Sequence, residues 1–268
     1  MENPLNLLMR RDTVAVLRLE GTIGGGGRFG SGLSEVGTAS LIAAAFRRRP
    51  RAVALIINSP GGSAAQSSLI ASRIRRMADQ FQVPVHAFVE DVAASGGYWL
   101  ATAADRIYLD PNSIVGSIGV ISASFGFHEL LARNGIERRV HTAGEDKSML
   151  DPFRPERPED VERLKRIQAL IHANFIAQVR ARRGDRLTGE DLFTGEIWVG
   201  QAAVAVGLAD ELGHAEPVMR RLYGPKVRFR NISPRRPLFR RLGLPGVEAA
   251  LGGIEDRALW ARFGLSAP

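Results

Sequence analysis

Hydrophobic and polar positions along the first half of the chain predict strands separated by helices. The run TVAVLRLE at Thr13–Glu20 and the run VALIIN at 53–58 predict strands, and the second is continuously apolar, as is typical of a buried parallel strand. Between them, a helical pattern begins after a Ser34 cap and extends towards Arg48. Residues 63–80 also have helical spacing. Their predicted apolar side consists of Leu69, Ile70, Ile74 and Met77.

The same alternation continues through the middle of the chain. Strands are predicted at 83–89, 106–109, 118–122 and 138–142, and helices at 94–104, 127–134, 159–182 and 200–206. This order predicts an α/β domain with right-handed crossovers, followed by a helical extension. We expect an N-terminal segment at 1–11, an α/β domain at 12–213 with a loop at 209–213, and a loosely attached basic extension at 214–268.

Composition excludes several classes of chemistry. The chain has 268 residues and no cysteine, which excludes disulfides, thiolate zinc sites and a cysteine nucleophile. Its 36 basic and 28 acidic residues give a formal charge of +8, and nine basic residues without an acid lie in 217–247. This segment predicts either a solvated tail or peripheral contact with an anionic membrane. No nucleic-acid-binding motif is found, so no nucleic-acid partner is expected.

Lysine is rare in this chain, which uses arginine for almost all of its positive charge. The three lysines are Lys147, Lys165 and Lys226. Arginine does not act as a proton acceptor in proteins, whereas a desolvated lysine can. Lys165 lies on the charged side of a predicted helix and Lys226 in the basic segment, so both have ordinary explanations. Lys147 lies in a loop and is the candidate base.

Two glycine corners follow predicted strands. NSPGGS at 58–63 and ASGGYW at 94–99 combine small residues with the free N–H groups of a helix start. Ser95 lies between small neighbours, as a nucleophilic serine requires, with an adjacent backbone N–H for an oxyanion. Each corner by itself also fits an ordinary strand-to-helix turn or a serine cap.

Together with GEDKSMLDPF at 144–153, GSIGV at 116–120 and LFTGE at 192–196, these motifs resemble the signal peptide peptidase A family of bacterial serine peptidases. The resemblance covers about residues 12–213 and the short form with one catalytic domain. It implies a ClpP/crotonase-like fold of stacked parallel sheets with crossover helices, and a Ser–Lys dyad without metal or cofactor. By matching position, Ser95 is the nucleophile, Lys147 the general base and Ser117 the residue that orients the lysine. The N–H groups of Gly62 and Gly96 form the oxyanion hole.

The resemblance also implies partners and a location. We expect extended peptide substrates with apolar side chains, such as remnant signal peptides, and a homo-oligomer that encloses the site. Many family members carry an N-terminal membrane anchor, but this sequence has neither a signal-peptide pattern nor about 20 consecutive apolar residues. The protein is therefore expected in the cytoplasm or peripherally on the inner membrane. Glu145 and Asp146 disfavour a neutral Lys147 unless they point away from it.

Three other interpretations stay open at this point. A crotonase-type acyl-CoA enzyme would use the same two oxyanion donors. A membrane-associated scaffold would use the glycine corners only structurally. A Ser–His–Asp site would require His128 or His141 to reach Ser95.

Overall fold

A computed structural model of the chain describes residues 12–24, 32–144, 147–233 and 257–266. The described residues divide into two compact units. The first comprises those up to Ile118 and from Ile176 onward, and the second is Gly119–Phe175.

The strands are β1 (Thr13–Glu20), β2 (Ala52–Ser59), β3 (Val85–Ala94), β4 (Arg106–Leu109), β5 (Ile114–Gly116), β6 (Ile197–Val199), β7 (Glu211–Leu212) and β8 (Arg228–Ile232). The helices are α1 (Glu35–Phe46), α2 (Ala64–Phe81), α3 (Gly96–Ala101), α4 (His128–Arg133), α5 (Pro158–Arg183), α6 (Gly200–Ala205) and α7 (Ala215–Tyr223). A 3-10 turn, Gly184–Arg186, follows α5.

The first unit is built on one eight-stranded sheet in the order β6-β5-β3-β2-β1-β8. Strand β3 is the branch point, because its first half pairs with β4 and its second half with β5. All pairs are parallel except β5 with β6. This mixed α/β sheet with crossover helices confirms the predicted fold class, and β3 ends directly at Ser95.

Both faces of the central strands are covered, which explains their continuous apolar sequence. All eight residues of β2 are buried. On one face, Ala54, Ile56 and Phe88 pack with Val218 and Met219 of α7. The alternate side chains of β1 and β2 are buried as well.

The helices before the site begin as their sequence predicts. The Ser34 side chain accepts a hydrogen bond from the Gly37 N–H at the start of α1, and Ser63 does the same for Gln66 at the start of α2. The buried side of α2 differs from the prediction: Leu69 is about half exposed and Met77 only half-buried. The buried side of α2 consists instead of two isoleucines and three small residues, namely Ser67, Ile70, Ala71, Ile74 and Ala78.

Several predicted elements were wrong. Residues 118–122 and 138–142 form no strand; the strand nearest the first is β5, at Ile114–Gly116. The predicted loop at 209–213 contains β7, which pairs with β4. The start of the predicted loose extension is ordered: α7 packs on the sheet, and β8 pairs with β1 from Thr13 opposite Arg228 to Leu17 opposite Ile232.

The end of the chain returns to the sheet next to β3. Residues 257–261 are helical, and Trp260 is almost fully buried against Val92, Ala94 and Ile114. Because Val92 and Ala94 point to the same face of β3, Trp260 covers the sheet immediately before Ser95.

The second unit has little core. Among its described residues only Asp160 and Phe175 are buried, and none of the six residues of α4 is. Phe127 stacks on Phe153 with ring centroids 5.7 Å apart. In both units, the described helices include none that is long and apolar enough to cross a membrane.

Candidate active site

Ser95 occupies a sharp corner between β3 and α3. Its backbone has φ 51° and ψ −120°, a conformation that L residues rarely adopt and that costs about 1–3 kcal/mol. The Ser95 N–H donates to the Gly116 carbonyl of β5 at 2.9 Å, and its carbonyl accepts from the Trp99 N–H at 3.0 Å. The corner therefore keeps a strained serine, half-buried, at the helix start.

The two predicted glycine corners pack directly against each other. A Cβ added to Gly61 would lie 2.8 Å from the Ala94 carbonyl oxygen and 2.9 Å from the Gly96 nitrogen. A Cβ on Gly97 would lie 2.3 Å from the Ser59 carbonyl oxygen. Side chains are excluded at these positions by backbone, which explains why both corners are rich in glycine.

The N–H groups of Gly62 and Gly96 are the available donors at this contact. A Cβ placed on Gly96 would lie 3.3 Å from the Gly62 nitrogen, so the two residues are neighbours. Within the described ranges, neither N–H donates a hydrogen bond to a protein group. Two neighbouring N–H groups that no described protein group uses, at the corner that carries Ser95, could serve as the donors of an oxyanion hole.

Ser117 lies one strand further along the sheet. It also has a positive φ, 49°, and its N–H donates to the Glu196 carbonyl at 2.7 Å. It lines a cleft of about 480 Å³ together with Thr194, Gly195, Glu196, Ile197, Arg262 and Phe263. Ser95 bonds to Gly116, the last residue of β5, and Ser117 follows it directly. The cleft that Ser117 lines therefore lies next to the serine corner.

Lys147 belongs to the second unit. Its N–H donates to the Gly144 carbonyl at 3.3 Å, and its side chain is exposed. Glu145 and Asp146, which were expected to affect this lysine, lie outside the described residues. The structure thus gathers Ser95, Gly96, Gly62 and Ser117 within the first unit, with Lys147 in the other.

The histidines of the first unit have other partners. His86 Nε2 lies 2.8 Å from the Tyr223 hydroxyl, and burial lowers the pKa of His86 to about 4. His214 Nε2 lies 2.8 Å from Asp110 Oδ2. His128 and His141, the two candidates for a Ser–His–Asp site, belong to the second unit.

Sequence reasoning missed several residues around the corner. Ile23 bridges to Gly62, and the Ser67 Oγ lies 2.4 Å from where a Cβ on Gly96 would be. Trp260 and Phe263 come from the end of the chain. No motif marks these residues, because their role depends on contacts between distant parts of the sequence.

A strained serine at a strand-to-helix corner of a branched α/β sheet, beside two N–H donors that no described protein group uses, fits the ClpP-like fold that the sequence predicted. Residues 78–226 match peptidase family S49. This match covers more than half of the chain, and the chain belongs to peptidase family S49. Membership confirms the predicted relationship to signal peptide peptidase A and the class of serine peptidase.

Individual relatives match the chain over part of their own length. A putative signal peptide peptidase SppA of Enterococcus faecium is 28% identical over 170 residues, which cover 63% of this chain and 49% of that protein. A protein of Brucella abortus (strain 2308) named Na(+)/H(+) antiporter NhaA is 48% identical over 272 residues, 94% of this chain but only 37% of that protein. The chain thus spans less than half of either relative, and the antiporter name refers to a protein that lies mostly outside the match.

A solved structure has the same fold. It is a lysine-to-alanine mutant of the 1510-N membrane-bound stomatin-specific protease in complex with a substrate peptide. Its TM-score is 0.52 at 16% identity, over 84% of this chain and 94% of that one.

Proposed function

We propose that the chain is a serine endopeptidase that uses a Ser–Lys dyad. Ser95 attacks the scissile carbonyl while Lys147 accepts its proton, and Ser117 orients the lysine amine. The Gly62 and Gly96 N–H groups stabilise the oxyanion. Lys147 then protonates the leaving amine, and water hydrolyses the acyl-enzyme.

The serine corner is the observation that carries this proposal. Ser95 is strained and half-buried, and the neighbouring N–H groups of Gly62 and Gly96 are unused by the described protein groups. Each donor in an oxyanion hole lowers the barrier by about 3 kcal/mol. A serine cap would instead use its hydroxyl on the helix N–H groups, but Ser95 makes no such hydrogen bond at the start of α3.

The proposed base requires a closed site. An ammonium cannot accept a proton, so the Lys147 amine has to lose its water when the peptide binds. Lys147 is exposed in the single chain. The proposal therefore includes a covering group, either the bound peptide or a second copy of the chain.

Hydrolysis of an apolar peptide with a quenched fluorophore tests the dyad. Ser95→Ala, Lys147→Ala and Lys147→Arg should each lower kcat at least about a thousandfold, because nucleophile and base act as a unit. Lys147→Arg keeps the charge but cannot accept the proton. Lys165→Ala is the matched control, since Lys165 is exposed and paired with Glu162 at 3.0 Å.

Retained activity in Lys147→Arg, with native circular dichroism in all variants, would exclude lysine as the base. Activity lost only on mutation of His128 or His141 would favour a Ser–His–Asp site instead. Tight coenzyme A binding without peptide hydrolysis would favour the acyl-CoA enzyme.

We also propose a homo-oligomer. The second unit exposes apolar side chains that it cannot bury itself, namely Ile121, Phe125, Leu130 and Ile136. A second copy covering them would remove this area from water. Light scattering should show an assembly larger than the monomer, and Phe125→Asp should reduce its size; a monomer at micromolar concentration would contradict the proposal.

We also propose peripheral membrane contact through 217–247, although fewer of its residues are available for this contact than the sequence suggested. In its described part, Val218 and Met219 are buried, and Arg220 and Arg221 pair with Glu216 and Glu211. Residues 234–247 lie outside the described part. Co-sedimentation with anionic vesicles should fall when Arg235, Arg236, Arg240 and Arg241 are replaced by Ser, which leaves the buried Trp260 in place, and unchanged binding would exclude this contact.

A further inference from the structure

The helix that begins at Ser95 is held at its other end by arginine side chains. Helix α3 has only six residues, and the backbone after it runs through Thr102, Ala103 and Ala104 to Asp105 before β4. The last carbonyls of α3 itself accept hydrogen bonds from the N–H groups of Thr102, Ala103 and Ala104. The carbonyls of the segment after the helix have other donors, which come from α2, α5 and the turn after α5.

Four consecutive carbonyls each accept a hydrogen bond from a guanidinium group. Arg182 donates from Nε to the Thr102 carbonyl at 2.9 Å and from Nη2 to the Ala104 carbonyl at 3.0 Å. Arg75 donates to the Ala103 carbonyl at 3.1 Å, and Arg186 to the Asp105 carbonyl at 3.3 Å. Arg182 is the member of this set that bridges two carbonyls.

Further hydrogen bonds fix the same end of the helix. The Thr102 hydroxyl donates to the Trp99 carbonyl at 2.6 Å and accepts from Gln178 Nε2 at 3.1 Å. Asp105 pairs with Arg75 at 2.8 Å and with Arg182 at 3.5 Å. Thr102, Ala103 and Ala104 are buried, so their carbonyls are shielded from water, whereas the Asp105 side chain is 41% exposed.

The two ends of α3 are mechanically connected. From Gly96 to Thr102 the helical rise is about 9 Å, so a tilt at one end moves the other. Ser95 is strained, and a strained residue persists only where its surroundings over-determine it. A displacement of about 1 Å at a catalytic group can cost about a hundredfold in rate.

We infer that Arg182 is a positioning residue for catalysis. By bridging the Thr102 and Ala104 carbonyls it fixes the direction of α3, and thereby the places of the Ser95 hydroxyl and the Gly96 N–H. The cationic groups also complement the negative end of the helix, but such effects fall off within one turn, so the geometric effect dominates. This inference rests on the proposed role of Ser95 as nucleophile.

Steady-state kinetics of Arg182→Ala with a neutral apolar peptide tests it. We expect kcat to fall about ten- to a hundredfold with KM unchanged within about twofold, because the substrate contacts stay and only the catalytic geometry moves. The rate constant for phosphonate labelling of Ser95, normalised to the fraction of protein that is labelled, should fall by the same factor. Arg182→Lys should recover part of the rate, since an ammonium can reach one of the two carbonyls.

Arg180→Ala is the matched control. Arg180 lies on the same helix with its guanidinium over the Phe193 ring, 5.1 Å from the centroid. This variant should keep the wild-type kcat and labelling rate. If Arg182→Ala does not fold, Arg182→Lys gives the same test with a smaller expected effect.

A lower melting temperature for Arg182→Ala with unchanged kcat and labelling rate per labelled site would reduce Arg182 to a structural role and overturn the inference. A raised KM at unchanged kcat would overturn it too. Full activity in Ser95→Ala would instead refute the proposed function, whatever the result at Arg182.

Discussion

The serine corner and the second unit are built in opposite ways. At the corner, Gly61, Gly96 and Gly97 touch neighbouring backbone or side chains so closely that a Cβ would clash, and the strand below them is buried on both faces. In Gly119–Phe175, glycines such as Gly135 have nothing within 4 Å of an added Cβ, and Phe125 is 79% exposed. The serine corner is closely packed by residues of the described chain, whereas the second unit exposes apolar side chains to solvent.

This difference separates the two halves of the proposed dyad. Ser95 lies where folding alone fixes its geometry. Lys147 lies in the region whose apolar side chains are exposed, so its role depends on what covers it. Substitutions that disturb packing at the corner should therefore lower the free energy of unfolding. Substitutions in the second unit should mainly change assembly or activity.

Removing the Trp260 side chain should have the largest effect on stability. Trp260 is 1% exposed and packs on Val92 and Ala94, so Trp260→Ala leaves a cavity behind the serine strand. We expect the free energy of unfolding to fall by about 3–5 kcal/mol. Urea unfolding followed by circular dichroism measures this; a loss below about 1 kcal/mol would show that the end of the chain does not hold the corner.

A methyl group on Gly97 should have the next largest effect. Its Cβ would lie 2.3 Å from the Ser59 carbonyl oxygen, and backbone cannot move aside cheaply. Gly97→Ala should lower the free energy of unfolding by about 3 kcal/mol. Gly135→Ala is the comparison in the second unit: its φ of 65° costs about 1 kcal/mol, with no clash. Equal losses in the two variants would contradict the contrast between the regions.

Low pH should lower the free energy of unfolding of the first unit, because His86 is buried in its uncharged form. Burial lowers the pKa of His86 to about 4 from its ordinary value of 6.5, so the unfolded chain binds this proton first as the pH falls. The contribution of neutral His86 to the free energy of unfolding is present above pH 6.5 and is lost as the pH falls towards 4, by about 2 kcal/mol between pH 7 and 5. In His86→Gln, which can still bond to Tyr223, this part of the pH dependence should disappear. An unchanged pH profile would exclude His86 as its source.

Substitution of an exposed aromatic in the second unit should have the smallest effect on stability. Phe125 is 79% exposed, and Phe125→Ser should change the free energy of unfolding of the monomeric chain by no more than about 0.5 kcal/mol. Unfolding measured at low protein concentration separates this from loss of assembly. A loss of 2 kcal/mol would mean that Phe125 belongs to a core.

Sequence patterns predicted the helices at 127–134 and 159–182 and the central strands better than the short strands. The β1, β2 and β4 strands and the helices beside them follow from burial on two faces and from clear caps such as Ser34. The strands predicted at 118–122 and 138–142 are absent because a short alternation has no strand beside it to pair with. Strand β8 was missed because its sequence, RFRNI, is dominated by polar residues and its pairing with β1 is remote in sequence.

Some residues of the candidate site could be predicted from the sequence and others could not. Ser95, Gly62 and Gly96 could be predicted because small residues at a strand end leave a sequence motif. The arginine groups behind α3 could not be predicted, because four carbonyls and three guanidinium groups meet only after folding.

Mass-spectrometric mapping of an activated phosphonate is the most direct test of the central claim that Ser95 is a nucleophile activated by Lys147. The reagent should modify the peptide containing Ser95, labelling should be lost in Ser95→Ala, and Lys147→Arg should lower its rate at least a hundredfold. Modification of another residue, or equal labelling rates in the wild type and Lys147→Arg, would contradict the account.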